Sequence, residues 1–98
     1  MDKSIHVLLV VVECHIPHAQ SLKQKRAAIK SLIDRLRTRL NASVSETGFL
    51  EEWQRSVIAV SMVSNSRRYL QQQIDILEQI VMTSSGNVTV VNIEQHWL

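Results

Sequence analysis

The six residues Glu13-Cys14-His15-Ile16-Pro17-His18 gather a carboxylate, a thiol and two imidazoles in one short stretch. Such side chains ligate zinc. A cysteine beside a histidine can also supply a nucleophilic thiolate. Neither chemistry is complete here. A zinc site draws its ligands as two separated pairs, and the other histidines, His6 and His96, stand alone. Pro17 restricts how closely the two neighbouring imidazoles can approach one ion. A thiolate at Cys14 would have His15 as a base but no third group to orient it. The segment reads as a loop that turns a strand into a helix, with Cys14 a small residue at the strand end. No metal, no cofactor, no small-molecule substrate and no catalytic residues are expected, so the sequence points away from an enzyme.

A second group of residues carries more information. Leu22 to Leu40 holds seven of the eleven basic residues, Lys23, Lys25, Arg26, Lys30, Arg35, Arg37 and Arg39, with Asp34 the one acid among them. The segment is +6, the remainder of the chain is −4, and the net charge of +2 hides the separation. A concentrated cationic surface attracts polyanions such as RNA, DNA or acidic protein faces. On a helix, Lys23, Lys30 and Arg37 recur every seven residues and form one stripe with Arg26 beside it. Arg35 and Arg39 fall on the other flank. Lys25 and Arg26 lie near the edges of the apolar face, where their stems can pack while their charges reach water. A solvated amphipathic helix is the plain alternative, but such helices generally mix signs.

Trp53-Gln54-Arg55 is the third group. On a strand, Trp53 and Arg55 point to the same face, so a cation can lie beside an indole. Base stacking on a sheet, as in RNA-recognition motifs, needs several aromatics across the central strands. Ile5–Glu13 has none.

The hydrophobic pattern supplies the elements that hold these residues. Ile5 to Glu13 is nearly all apolar and β-branched, as in a strand buried on both faces. It is too short to span a membrane and lacks the basic flank and cleavage site of an export signal. Ser21 opens a helix with a capping-box pattern to Gln24. Leu22, Ile29, Ile33, Leu36 and Leu40, widened by Leu32, make its apolar stripe. The helix ends near Asn41. Ala42 to Thr47 is a short strand, Gly48 to Glu52 a turn, and Trp53 to Ser64 a second long strand. Ser64-Asn65-Ser66 offers three N-cap residues in a row, ahead of a helix with Leu70, Ile74, Leu77 and Val81 on one face. Ser84-Ser85-Gly86-Asn87 is a turn signal, and Val88 to Ile93 is the last strand.

The order β-α-β-β-α-β predicts one α+β domain over residues 1–98. Its plan is the ferredoxin-like βαββαβ, a four-stranded antiparallel sheet with two helices on one face. Right-handed crossovers place the first and third strands at the centre. The helices then protect one face of a sheet whose two long strands are apolar on both. Val7, Leu9 and Val11 point one way and Leu8, Val10 and Val12 the other, so one of these rows is left uncovered, with Val57, Ala59 and Val63 beside it, and Val91 and Ile93 can join them. An open apolar face of this kind marks an interface, so a homodimer or higher oligomer is expected. Acylphosphatase shares the topology, but its glycine-bearing anion loop after the first strand has no counterpart in the glycine-free stretch Cys14–Gln20.

Ninety-eight residues suffice for one modest core, since a chain of this size buries roughly 60–65% of its unfolded surface. The single Cys14 cannot form an internal disulfide, which fits a reducing compartment. Together with the missing export signal, this gives a cytoplasmic protein without membrane attachment as the expectation.

The run His15-Ile16-Pro17-x-Ala19-x-Ser21-Leu22-Lys23-x-Lys25-Arg26 resembles the YlxP-like family of small bacterial proteins, a domain family of unknown function. Lys30-Ser31-Leu32-Ile33-Asp34-Arg35-Leu36-Arg37-x-Arg39 continues the likeness. So do Asn41-x-Ser43-Val44-Ser45-Glu46-x-Gly48, Trp53-Gln54-Arg55 and Val63-Ser64-Asn65, so that it covers about residues 7–66. Leu40 stands where the family suggests an aromatic, and Ser66 where it suggests an acid. The resemblance implies the same ferredoxin-like fold. It also implies a gene neighbourhood with a translation initiation factor and a ribosome-binding factor, and it brings no catalytic residues. The expectation is a non-enzymatic accessory protein that binds ribosomal RNA or the ribosome through Lys23, Lys25, Arg26, Lys30, Arg37 and Arg55. The alternative is an interaction module that oligomerises through its open sheet face and has no nucleic-acid role.

Overall fold

The computed structural model describes residues 3–83 and 87–98. Six elements follow in the expected order: β1 (His6–His15), α1 (Leu22–Arg39), β2 (Ser43–Gly48), β3 (Arg55–Ser64), α2 (Arg67–Met82) and β4 (Thr89–Trp97). The strands form one antiparallel sheet in the order β2-β3-β1-β4. The two most apolar strands are therefore central, as right-handed crossovers require. This is the ferredoxin-like plan. Ser84, Ser85 and Gly86 of the turn expected after α2 lie outside the described residues.

The core sits between the sheet and the two helices. Leu8, Val10, Val12 and Cys14 on β1 alternate inward, as do Ile58, Val60 and Met62 on β3. They meet Ile29, Leu32 and Leu36 of α1 and Leu70, Ile74, Leu77, Ile80 and Val81 of α2 in one cluster. Both helices start on a serine. Ser21 Oγ accepts from Gln24 N at 3.1 Å, and Ser66 Oγ accepts from Tyr69 N at 3.1 Å. Among the three cap candidates before α2, Ser66 is selected, and Ser64 Oγ accepts from Ser66 N at 3.0 Å. Gln24 does reach back, but its side chain accepts from Gln20 N at 2.7 Å, one residue before the cap.

The uncovered row on the other sheet face is present. Val7, Leu9 and Val11 lie opposite Val63, Ser61 and Ala59 in the β1–β3 register, with Val57 opposite Glu13. Val63 is 63% exposed. Ile93 does not join that row. It pairs with Val12 and packs against the core. A bulge between Glu13 and Cys14 shifts the β4 register there, and Val91 stays exposed. The last strand also runs further than the apolar pattern indicates, to Trp97, because its outer residues Glu94 and His96 are polar while the backbone ladder continues.

Two expectations about the segment before β3 change. The strand begins at Arg55, so Trp53 lies in the preceding turn and is not on the strand face. The Arg55 guanidinium instead lies 3.8 Å from the centroid of the Phe49 ring. Phe49 has φ 55°, a left-handed backbone conformation at the head of this turn, which an L-residue adopts at a cost.

Candidate nucleic-acid interface

The sequence of α1 decides which of its charges reach solvent. Its buried residues are Lys25, Ile29, Leu32 and Leu36, spaced by four, three and four, so they define the inward stripe. Lys23, Arg26, Lys30, Arg37 and Arg39 are exposed, and Arg35 is half-buried on the flank. Lys23, Arg26, Lys30 and Arg37 share the outer surface of the helix, since their spacings of three, four and seven keep them aligned. Lys30 Nζ is paired with Asp34 Oδ2 at 2.8 Å, with both side chains largely in solvent. Such a pair is labile and screened by salt. One Arg37 N–H donates to Val44 O at 2.7 Å. That bond satisfies a carbonyl of the edge strand β2 and still leaves guanidinium donors directed outward.

Lys25 does not belong to this surface. Its side chain has 0% exposure, and Nζ lies 2.7 Å from Glu46 Oε2. The same ammonium donates to Phe49 O at 2.8 Å, and Ser56 Oγ donates to Glu46 Oε2 at 2.7 Å. The expectation that the Lys25 charge reaches water fails because a carboxylate on the inner side of β2 waits for it. An isolated buried charge costs far more than this pair. The network ties α1 to β2 and to the carbonyls of the β2–β3 turn.

Arg55 is placed apart from the helix stripe. Ser56 points into the core, so by alternation Arg55 emerges on the opposite face of the sheet. Its guanidinium lies 3.3 Å from Glu13 and 4.0 Å from Glu52, besides capping Phe49. The structure thus brings together Lys23, Arg26, Lys30 and Arg37, and separates Lys25 and Arg55 from them. Sequence periodicity missed the buried network. A signal was present, because Lys25 falls between Leu22 and Ile29 on the apolar stripe and Glu46 shares an inward face with Val44.

The β1–α1 loop is held by hydrogen bonds from its own backbone and from Gln54. Ile16 N donates to Gln54 O at 3.0 Å, and Gln54 Nε2 donates to Ala19 O at 3.0 Å, bracing the β1–α1 loop against the turn before β3. Beside this brace an open cleft of about 510 Å³ is lined by His15, Pro17, Glu52, Trp53, Gln54 and Arg55. Burial, with Glu13 and then Glu46 nearby, pushes the Cys14 thiol up to about 11, the reverse of what a nucleophile needs. No group of three or more metal-ligating side chains converges among the described residues. No helix among them is long and apolar enough to cross a membrane.

Fold and surface together define a ferredoxin-like α+β protein that presents a cationic helix. The chain belongs to the family described as "Protein of unknown function (DUF503)", whose profile matches residues 7–95. It is 44% identical over 55 residues to the uncharacterized protein YlxP of Bacillus subtilis (strain 168), a stretch covering 56% of this chain and 60% of that relative. Solved structures share the fold at low identity. The cofactor-independent oxygenase SnoaB from Streptomyces nogalater has a TM-score of 0.59 at 5% identity, with 92% of this chain and 90% of that one covered. A dimeric ferredoxin-like protein from an uncultured marine organism has a TM-score of 0.54 at 10% identity, covering 95% of each. The designed protein LFR1 1, with a ferredoxin fold, gives 0.53 at 13% identity, covering 93% and 83%.

Proposed function

We propose that this protein is a non-enzymatic accessory protein that binds RNA, with ribosomal RNA or the ribosome as the first target to test. The observation that carries this reading is the outer surface of α1, where Lys23, Arg26, Lys30 and Arg37 are all exposed and Asp34 is the one acid of the helix. Exposed aromatic rings suited to stacking are scarce, so binding would rest on phosphates and carry little sequence preference.

The test is fluorescence anisotropy with single-stranded and duplex RNA across a salt series. Each phosphate neutralised steepens log K against log salt by about 0.7 for single strands and about 0.9 for duplexes. Three to four contacts from α1 therefore give a slope of about −2 to −4. The variant Lys23→Glu/Arg26→Glu/Lys30→Glu, which leaves Arg37 on its edge carbonyl, should lose binding by at least about tenfold while retaining its circular dichroism spectrum. Equal affinity of variant and parent would reduce the stripe to a solvated surface.

A further inference from the structure

We infer that the open sheet face is the interface of a two-fold homodimer, packed sheet to sheet, with the β2 edge of each copy over the β4 edge of the other. The inference is independent of the RNA reading, which uses the opposite layer of the molecule.

The face has three parts, and their order matters. The centre, along β3 and β1, carries Val57, Ala59, Val63, Val7, Leu9 and Val11. On the β2 side Ser43 and Ser45 lie opposite Ser61 and Ala59, which places both hydroxyls on the open face. On the β4 side His96 and Glu94 lie opposite Leu9 and Val11. Since β3 and β1 are the two middle strands, the apolar strip coincides with the midline of the sheet. A two-fold axis along that midline lays apolar strip on apolar strip. The same rotation carries each hydroxyl edge onto a carboxylate–imidazole edge. Serine hydroxyls donate to carboxylates, so Ser45 of one copy, whose hydroxyl donates to Glu46 O at a long 3.3 Å within its own chain, can exchange that bond for an acceptor of the kind Glu94 supplies in the other.

The charges agree with a second copy as the occupant. Glu13 is already paired with Arg55 at 3.3 Å, and Glu94 lies 3.2 Å from His96. Glu94 and His96 form an ion pair only when the imidazole is protonated, so the face carries little net charge, negative when His96 is neutral, and does not attract the polyanions drawn to α1. Four strands spaced by about 4.8 Å, over seven residues of about 3.3 Å each, span roughly 20 Å by 23 Å. Two such faces, of roughly 460 Å² each, bury on the order of 900 Å² in total, below the roughly 1,200 Å² of a standard specific interface and in the range of weak, transient pairs. The dimer is therefore weak, and its population depends on concentration.

Sedimentation velocity on the full chain, from low micromolar to near-millimolar concentration, should show conversion from the 11.2 kDa chain to twice that mass. Leu9→Lys would bury a charge at the centre and should weaken association by at least about a hundredfold. Val63→Asp, at a position already exposed, repeats the test without endangering the fold. The edge pairing has its own readout. Ser45→Cys/Glu94→Cys should be joined into a covalent dimer by a short thiol-reactive cross-linker that spans the roughly 10 Å between packed sheets, whereas Ser45→Cys alone should not. Within one chain the two positions lie three strand spacings apart, about 14 Å, beyond the reach of that linker. A parent that stays monomeric at every concentration would overturn the inference and leave the face to another partner. So would a dimer indifferent to both face variants, or one that the paired cysteines fail to link.

Discussion

Lys25 Nζ lies 2.7 Å from Glu46 Oε2, with the lysine side chain wholly shielded from solvent. One helix and one edge strand are joined by a charge pair that the core encloses. Ser56 Oγ and Phe49 O complete the shell around it. Removing one partner of a buried pair leaves the other uncompensated, at about 3–5 kcal/mol for a full burial. Glu46 retains 18% exposure, so Lys25→Met should cost about 2–4 kcal/mol in urea unfolding. Lys25→Met/Glu46→Gln keeps the Ser56 bond and removes the orphan charge, and should recover more than half of the loss. Equal stability of Lys25→Met and the parent would mean that the pair is a bystander to folding.

Gly48 is fixed by contact and not by conformation. A Cβ built there would come within 2.9 Å of both Cβ and Cγ2 of Val57, at the bulge where the β2–β3 register shifts. Gly48→Ala should therefore destabilise by about 1–3 kcal/mol, the usual cost of overpacking. Gly48→Ala/Val57→Ala should be more stable than the two single losses added together. Strict additivity in a double-mutant cycle would show that the clash is relieved by backbone movement instead.

The fold was legible because the patterning is consistent at every level. Two apolar strands in the right order, two serine-capped helices and the crossover rule leave one topology. The site was legible only in part. The heptad spacing of Lys23, Lys30 and Arg37 placed them on the outside, where they are. Lys25 was misplaced because the helix pattern alone cannot distinguish a snorkelling stem from a buried ammonium. The difference is made by Glu46, a residue on another element whose inward direction depends on the strand register. Trp53 was misplaced for a related reason. The strand begins two residues later than its β-forming composition suggests, and the residue that meets Arg55 is Phe49, across the turn. The end of β4 was missed because polar residues can extend a ladder that backbone bonds already hold.

The Cys14 thiol is shielded because its side chain lies on the core side of β1, fully buried. Burial, followed by Glu13 and Glu46, raises it from 9.0 to about 11. Between these values the unfolded chain has released the thiol proton and the folded chain has kept it. The unfolded state thus binds fewer protons, and stability falls as pH rises from 9 towards 11. Below pH 9 the contribution is fully present. Cys14→Ala should flatten this part of a stability–pH curve. A thiol reagent at pH 8 should modify the parent only at the rate of unfolding, and immediate stoichiometric labelling would contradict the burial.

Ser66 caps α2 through Tyr69 N at 3.1 Å. Ser66→Ala should cost about 1 kcal/mol. Ser66→Asp should restore the cap and add a negative charge at the positive end of the helix dipole, for a net gain of a few tenths of a kcal/mol over the parent. The first turn of α2 contains no acid and begins with Arg67 and Arg68, so the dipole there is uncompensated. Thermal unfolding should rank Asp above Ser above Ala. Any order with Ala above Asp would show that the cap bond is not made in solution.

Asp34 is the single acid on α1, and its carboxylate holds Lys30 Nζ at 2.8 Å on the outer surface. Both groups are mostly in solvent, so the pair contributes at most about 0.5 kcal/mol to folding. Its effect on a polyanion should be larger. Asp34 repels a phosphate backbone laid along Lys23, Arg26 and Lys30, and it occupies one of the donors that would meet it. Asp34→Ala should leave stability within about 0.5 kcal/mol of the parent. The same change should tighten RNA binding several-fold at low salt and make the salt slope steeper by up to about one contact. The opposite change, Ser31→Asp at an exposed position in the same segment, should weaken binding to a similar degree. If RNA affinity responds to Lys23→Glu/Arg26→Glu/Lys30→Glu but to neither of these single changes, the contact lies nearer the start of α1, around Lys23 and Arg26. If it responds to none of the three, the charge of α1 serves no nucleic acid at all.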